Sequence, residues 1–341
     1  MFRAAAPSRV FLAALLVASA LPAAAADDAL SLVPPDAAAV GLIRVSDLRT
    51  SPLFDRVFSG TDRISADSDA RRFLEEVRLD PKRDVDLVVV AGSRQEAGEG
   101  SDVIAVFEGR FDAATLAAAA VERGAVKTSS AAGDSYLLPK HGRIDGDPAA
   151  IAFLSNRLIV AGSERAVAAA LARRTAGRAG FTAGAGLGAS LSRIDSKASA
   201  WALVDVAKAP VGARGRKVRA EGTVEGRRFH AEGSFDEPAS AVAAAMSSVS
   251  LLAFSTTVDG DSLKLSAAGV SADAETRQNL EDALRGILAI WRMAVQEKTP
   301  SLVPVLRGFR VTQGKDAVTV SGTLPGEVIR ELSSRKQSVS R

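Results

Sequence analysis

The chain has 341 residues, 43 Lys and Arg against 40 Asp and Glu, and no cysteine. That length suffices for one large domain or two ordinary ones, and the missing thiols exclude disulfides, cysteine nucleophiles and thiolate metal sites. Arg3 and Arg9 are the only charges before Asp27, so the remainder carries 41 cations against 40 anions, a balance that argues against nucleic acid as a partner.

Residues 1–26 read as a signal peptide. Val10–Leu21 is an apolar run that follows Arg9, and Ala24-Ala25-Ala26 offers small residues for cleavage. The run is shorter than the ~20 residues a membrane helix needs, and no later stretch reaches that length. The expectation is export, with a periplasmic or extracellular location after cleavage near Ala26 and no transmembrane span.

A first strand is expected over Ala38–Val45 and a helix over Ser65–Val77. Asp86–Gly92 and Asp102–Gly109 read as paired strands, rich in Val and Ile. Asp112 suits the N-cap of an Ala-rich helix that Gly124 can end. Ala149–Leu154 and Arg157–Gly162 form a second hairpin across Ser155-Asn156. Ser163 then caps a helix whose buried face carries Val167 and Leu171. Arg173–Gly188 is rich in Gly, Ala and Arg and reads as a flexible joint.

Beyond the joint come a strand over Ala198–Asp205 and a hairpin pairing Lys217–Val224 with Arg227–Phe235. Val249–Val258 and Asp261–Ala268 flank Asp259-Gly260, a two-residue hairpin turn. A long helix over Asp273–Gln296 places Leu280, Leu284, Leu288 and Trp291 on one stripe, with Arg277, Glu281 and Arg285 toward water. Phe309–Gln313 pairs with Ala317–Gly322, a short helix covers Leu324–Leu332, and the polar tail is expected to fray.

An offset of 160 residues aligns the two halves. Gly109 and Gly162 stand as far apart as Gly269 and Gly322, and Ile151–Val160 falls over Val311–Val320. Such self-similarity predicts a duplicated fold. Strands in hairpins with short turns favour antiparallel pairing, because parallel pairs need long crossovers. The expected fold class is α+β: two duplicated units of antiparallel β-hairpins, covered by helices on one sheet face. The expected organisation is signal peptide 1–26, first unit 27–174, joint 175–188, second unit 189–335 and tail 336–341.

The chemistry scan is sparse. His141 and His230 are the only histidines, too few for a zinc site without a supporting motif, and both read as surface residues. No G-x-S-x-G elbow is present. Asp145 with Asp147, and Asp259 with Asp261, each bracket a residue suited to turns. Gly184-Ala185-Gly186-Leu187-Gly188-Ala189 satisfies G-x-G-x-x-A, but polar, Gly-rich sequence precedes it where a dinucleotide fold needs a buried strand. No catalytic, cofactor-binding or metal-ligating residue is assigned, and no cofactor is expected. The candidate contact with an anionic partner is Arg214, Arg216, Lys217, Arg219, Arg227 and Arg228, although alternation along the strand also fits a solvated hairpin face.

Leu32-Val33-Pro34-Pro35-Asp36-Ala37, the strand after it and Gly109-Arg110-Phe111-Asp112 are features in which the chain resembles exported bacterial proteins of unknown function. The resemblance implies a periplasmic or surface location and transfers no site. Two functions follow as expectations. The first is a non-catalytic envelope protein binding a protein, anionic lipid or polymer partner. The alternative is a periplasmic carrier of an apolar ligand held between sheet and helices. A tunnel lined by Leu, Ile and Phe would favour the carrier, and a filled core the interaction protein.

Overall fold

The structure, a computed structural model, describes residues 28–54, 68–94, 101–139, 143–144, 147–181, 184, 186–195, 198–208, 220–224, 227–231, 249–298 and 301–331. The segment read as a signal peptide, 1–26, and the tail 336–341 lie outside these residues.

Antiparallel pairing dominates the chain. The first half contributes β1 (Ala39–Arg44), β2 (Val85–Arg94), β3 (Ser101–Gly109), β4 (Val126–Ser130), β5 (Gly133–Leu137), β6 (Arg143–Ile144), β7 (Asp147–Ser155) and β8 (Leu158–Ser163). Its helices are α1 (Val45–Arg49), α2 (Ser68–Glu76), α3 (Pro81–Asp84), α4 (Ala113–Glu122) and α5 (Glu164–Thr175). The second half adds β9 (Ala200–Asp205), β10 (Ala220–Val224), β11 (Arg227–Ala231), β12 (Leu251–Asp259), β13 (Ser262–Val270), β14 (Arg310–Gln313) and β15 (Ala317–Pro325). It also holds α6 (Ala274–Lys298) and α7 (Leu302–Gly308).

Twelve strands form one antiparallel path, β14-β15-β13-β12-β9-β1-β2-β3-β8-β7-β5-β4, with β6 on β7 beside it and β10-β11 as a separate pair. The architecture is α+β. At the centre β1 pairs with β9 from Ala39↔Val204 to Ile43↔Ala200. Outward from that pair the order runs β1-β2-β3-β8-β7 on one side and β9-β12-β13-β15-β14 on the other. Ile151–Val160 and Val311–Val320 are each a strand, a short connection and a second strand. β4 and β5 are an unexpected addition, and the 160-residue offset sets them against α6, not against strands.

Helices on one sheet face is an expectation the structure corrects. Val167, Ala170 and Leu171 of α5 pack with Ala150, Ala152 and Val160 on the first face. Leu116 and Ala119 of α4 pack with Ile159 and Phe107 on the second. The reason lies in the strands. Residues 87–91 are apolar throughout, so both faces need cover, as in sheets buried on two sides.

The first face is the drier. Val89, Val106, Val160 and Ala152 are fully buried there. The segment read as a flexible joint closes over it. Phe181 is buried and stacks on Trp201 with centroids 6.3 Å apart, and its N–H donates to the Leu30 and Val33 carbonyls. Gly186–Arg193 is a 3₁₀ helix that buries Leu187.

On the second face α6 packs through Leu280 and Leu284 onto Val249 and Val318. Its stripe departs from expectation at three places. Trp291 is 56% exposed, although the helical spacing puts it on the same stripe as Leu280, Leu284 and Leu288. Glu281 is buried and pairs with Arg285 at 2.5 Å. Arg277 is half-buried and donates to the Ser271 and Ala272 carbonyls. Leu280→Ala should therefore cost roughly 2–5 kcal/mol, the range for a buried Leu. Trp291→Ala should stay within about 0.5 kcal/mol of wild type, as exposed substitutions do. Chemical denaturation of both variants checks the pair.

Candidate functional site: an apolar cavity between sheet and helices

Several concavities mark the described surface. One, of about 760 Å³, is an open cleft on the first face of the second half, lined mainly by polar residues. Its floor is a rung of hydroxyls, Ser255, Ser266 and Ser321, continuing to Arg310. The neighbouring rung is Thr257, Lys264 and Thr323, and Lys264 is already paired with Asp259 at 2.6 Å. Arg193 is likewise paired, with Asp316 at 2.5 Å, so two of the three cations lining the cleft are engaged.

The second concavity, about 500 Å³, differs in kind. Its floor is the second sheet face: Val88, Phe107, Ile159, Ile151 and Phe153. Its roof is Phe111 with Leu116 and Ala120 of α4, and Phe73 and Leu74 of α2. Val45, Leu79, Pro81 and Val85 close one end. Among the described residues Lys82 is the only charged side chain lining it. Native cores contain few voids larger than a water molecule, so a space of this size is the strongest candidate site among the described residues.

Local sequence fixes where the roof lies over the sheet. Asp112 caps α4, its side chain accepting from the Thr115 N–H at 3.0 Å. Asn156 in the β7–β8 turn accepts from the Ala113 N–H at 3.2 Å, tying the helix start to the sheet. At its other end Arg123 bridges Glu76 at 2.6 Å and lies 5.1 Å from the centroid of the Phe73 ring. These contacts hang α2 from α4 and leave Phe73 and Leu74 facing the cavity.

The closed end is fixed by polar groups outside the apolar space. Asp80 caps α3 by accepting from the Lys82 N–H. Arg49 donates to the Lys82 and Val85 carbonyls and to Asp86, joining α1, α3 and β2. Burial resists ionisation of Asp84. The Arg83 guanidinium, the Asp80 N–H and nearby Arg110 outweigh it and hold the carboxyl below the usual carboxylate range. Glu108 is the opposite case. Burial pushes its carboxyl up, only partly countered by Arg157, and it lies on the other sheet face, opposite Leu158.

The third concavity is a shallow groove of about 330 Å³ at the centre of the same second face. Ile43, Val90 and Phe254 stand in it 40–45% exposed. It lines up with the cavity because Val88 borders both.

Arg214, Arg216, Lys217 and Arg219 lie outside the described residues. Arg227 and Arg228 sit on β11 at register with Val224 and Thr223, in the hairpin that stands apart from the main sheet. His230 is on the same strand, opposite Glu221, and His141 lies outside the described residues. The cavity residues passed unnoticed because alternate apolar strand positions look the same whether a helix or a space lies above them. Phe73, Phe107, Phe111 and Phe153 come together only in the fold, since 80 residues separate the first from the last.

Fold and site together define an antiparallel α+β sheet protein with an apolar chamber under its helices. No family model matches the chain, and no curated protein matches it. Among solved structures it is similar to crystal form III of TP0453, at 9% identity over 90% of this chain and 98% of that one, with a TM-score of 0.51. Forms I and IV of the same protein give TM-scores of 0.46 and 0.44, at 9% and 7% identity. At such identity the likeness speaks for the fold alone. Among the described residues no helix is long and apolar enough to cross a membrane.

Proposed function

We propose that this is an exported, non-catalytic carrier that holds an apolar ligand between its sheet and helices. The observation behind the proposal is the cavity of about 500 Å³, walled by Phe, Leu, Ile and Val with one cation at its edge. That volume lies in the range of small-molecule sites. Each methylene moved from water into such a site is worth about 0.8 kcal/mol, so a hydrocarbon chain binds without any specific polar contact. Export is supported by the signal-peptide features of residues 1–26 and makes the periplasm or cell surface the place of action. The mirrored strand order around β9–β1 and the equal glycine spacing support an origin by duplication.

The test is uptake of palmitate by the full chain, followed by displacement of the apolar dye N-phenyl-1-naphthylamine. Saturable binding at one site per chain is expected. Absence of saturable uptake would remove the carrier reading. A second reading, contact of the β10–β11 hairpin with an anionic envelope component, is supported by its separation from the main sheet. Binding to anionic vesicles that salt weakens would support it.

A further inference from the structure

The floor of the cavity does not stop at its mouth. Cross-strand partners on the second face run Phe153–Ile159–Phe107–Val88 inside the cavity. The same rung continues as Val88–Ile43–Ala200 along the open groove. The rung beside it, Val90–Gly41–Ala202–Phe254, is apolar as well. Large apolar side chains left this exposed on one contiguous face mark a surface meant to be covered.

Strand spacing gives the dimensions. Cavity and groove each span three interstrand steps, from β7 to β2 and from β2 to β12, which at ~4.8 Å per step is about 14 Å apiece. A bilayer's hydrocarbon core is ~30 Å thick and holds two leaflets, so one lipid chain reaches about 15 Å. Cavity and groove are therefore each one chain long, and they meet at Val88.

We infer that the ligand is a two-chain amphiphile, with one chain enclosed in the cavity and the second lying along the Ile43–Val90–Phe254 groove. The inference rests on the carrier reading and adds the ligand's class and a second subsite. Gly41 is the part of the groove that makes room: a Cβ there would come 3.6 Å from the Trp201 carbonyl oxygen and fill the floor between Val90 and Ala202. The groove is open to solvent, so its chain is only partly buried. Complete burial of a methylene strengthens binding roughly fourfold, so about two methylene equivalents already exceed a tenfold effect.

The experiment is calorimetric titration of the full chain with dioctanoyl phosphatidylglycerol and with its one-chain lyso form, both below micelle-forming concentrations. The two-chain probe should bind at least tenfold more tightly. Val90→Ser with Phe254→Ser should abolish that advantage and leave the lyso Kd unchanged, which also reports that the variant is folded. Equal affinity of wild type for both probes would overturn the groove subsite and leave the cavity reading standing. So would retention of the advantage in the double variant. Failure of both probes to bind wild type would remove both readings.

Discussion

Ala120→Phe should reduce palmitate uptake at least tenfold while leaving the thermal midpoint unchanged or raised. Ala120 is buried in α4 and borders the cavity opposite the sheet. A phenyl ring there occupies the space a ligand chain needs. Cavity-filling substitutions commonly add about 0.5–2 kcal/mol of stability, whereas insertion into a filled core costs about 1–3 kcal/mol. The sign of the stability change thus reports whether the space exists, and the binding change reports whether it is used. A fall in midpoint together with unaltered uptake would contradict the cavity on both counts.

Gly109→Ala and Gly162→Ala should each cost about 3 kcal/mol, at the upper end for forced overpacking, with urea m-values unchanged. A Cβ on Gly109 would overlap the Asp84 carbonyl oxygen and come 3.0 Å from the Phe111 ring. On Gly162 it would overlap the Val103 carbonyl oxygen. Backbone cannot withdraw as a side chain can. The glycines at the repeat offset make the contrast. On Gly269 a Cβ meets the end of Leu280 at 2.9 Å and Val249 at ordinary contact distance, and on Gly322 it meets the Phe309 ring at 2.6 Å. Gly269→Ala should cost under about 1 kcal/mol, since Ala also regains the strand entropy that Gly forfeits. Equal losses at Gly109 and Gly269 would refute the distinction.

The same glycines show how far the sequence could be read. Their spacing marked the ends of β3, β8 and β13 because a strand that ends in Gly before an N-cap is a local signal. Asp112 and Asp259-Gly260 were legible for the same reason, as capping and turn chemistry act over three or four residues. β4 and β5 were not. Val126–Ser130 is exposed along its whole length, so no alternation betrays it. The choice of face for each helix was hidden too, because residues 87–91 are apolar in both directions. Trp291 fitted the α6 stripe by periodicity, yet periodicity does not say what lies opposite each turn of the helix. The cavity and the groove depend on what is absent above a strand, which a pattern of residue types does not record.

The central pairing has a consequence for how the chain comes to be folded. Every other neighbour of β1 through β8 lies within the first half, but β1 must wait for β9, synthesised some 160 residues later. The hairpins of each half can form by local closure, whereas the β1–β9 seam is a contact of long sequence separation and forms late. Until then Ala39–Ile43 is a bare edge strand between two hydrophobic faces, the kind of edge that pairs with other molecules. For a chain that emerges from its N-terminus first, that interval is when it most needs protection from its own copies.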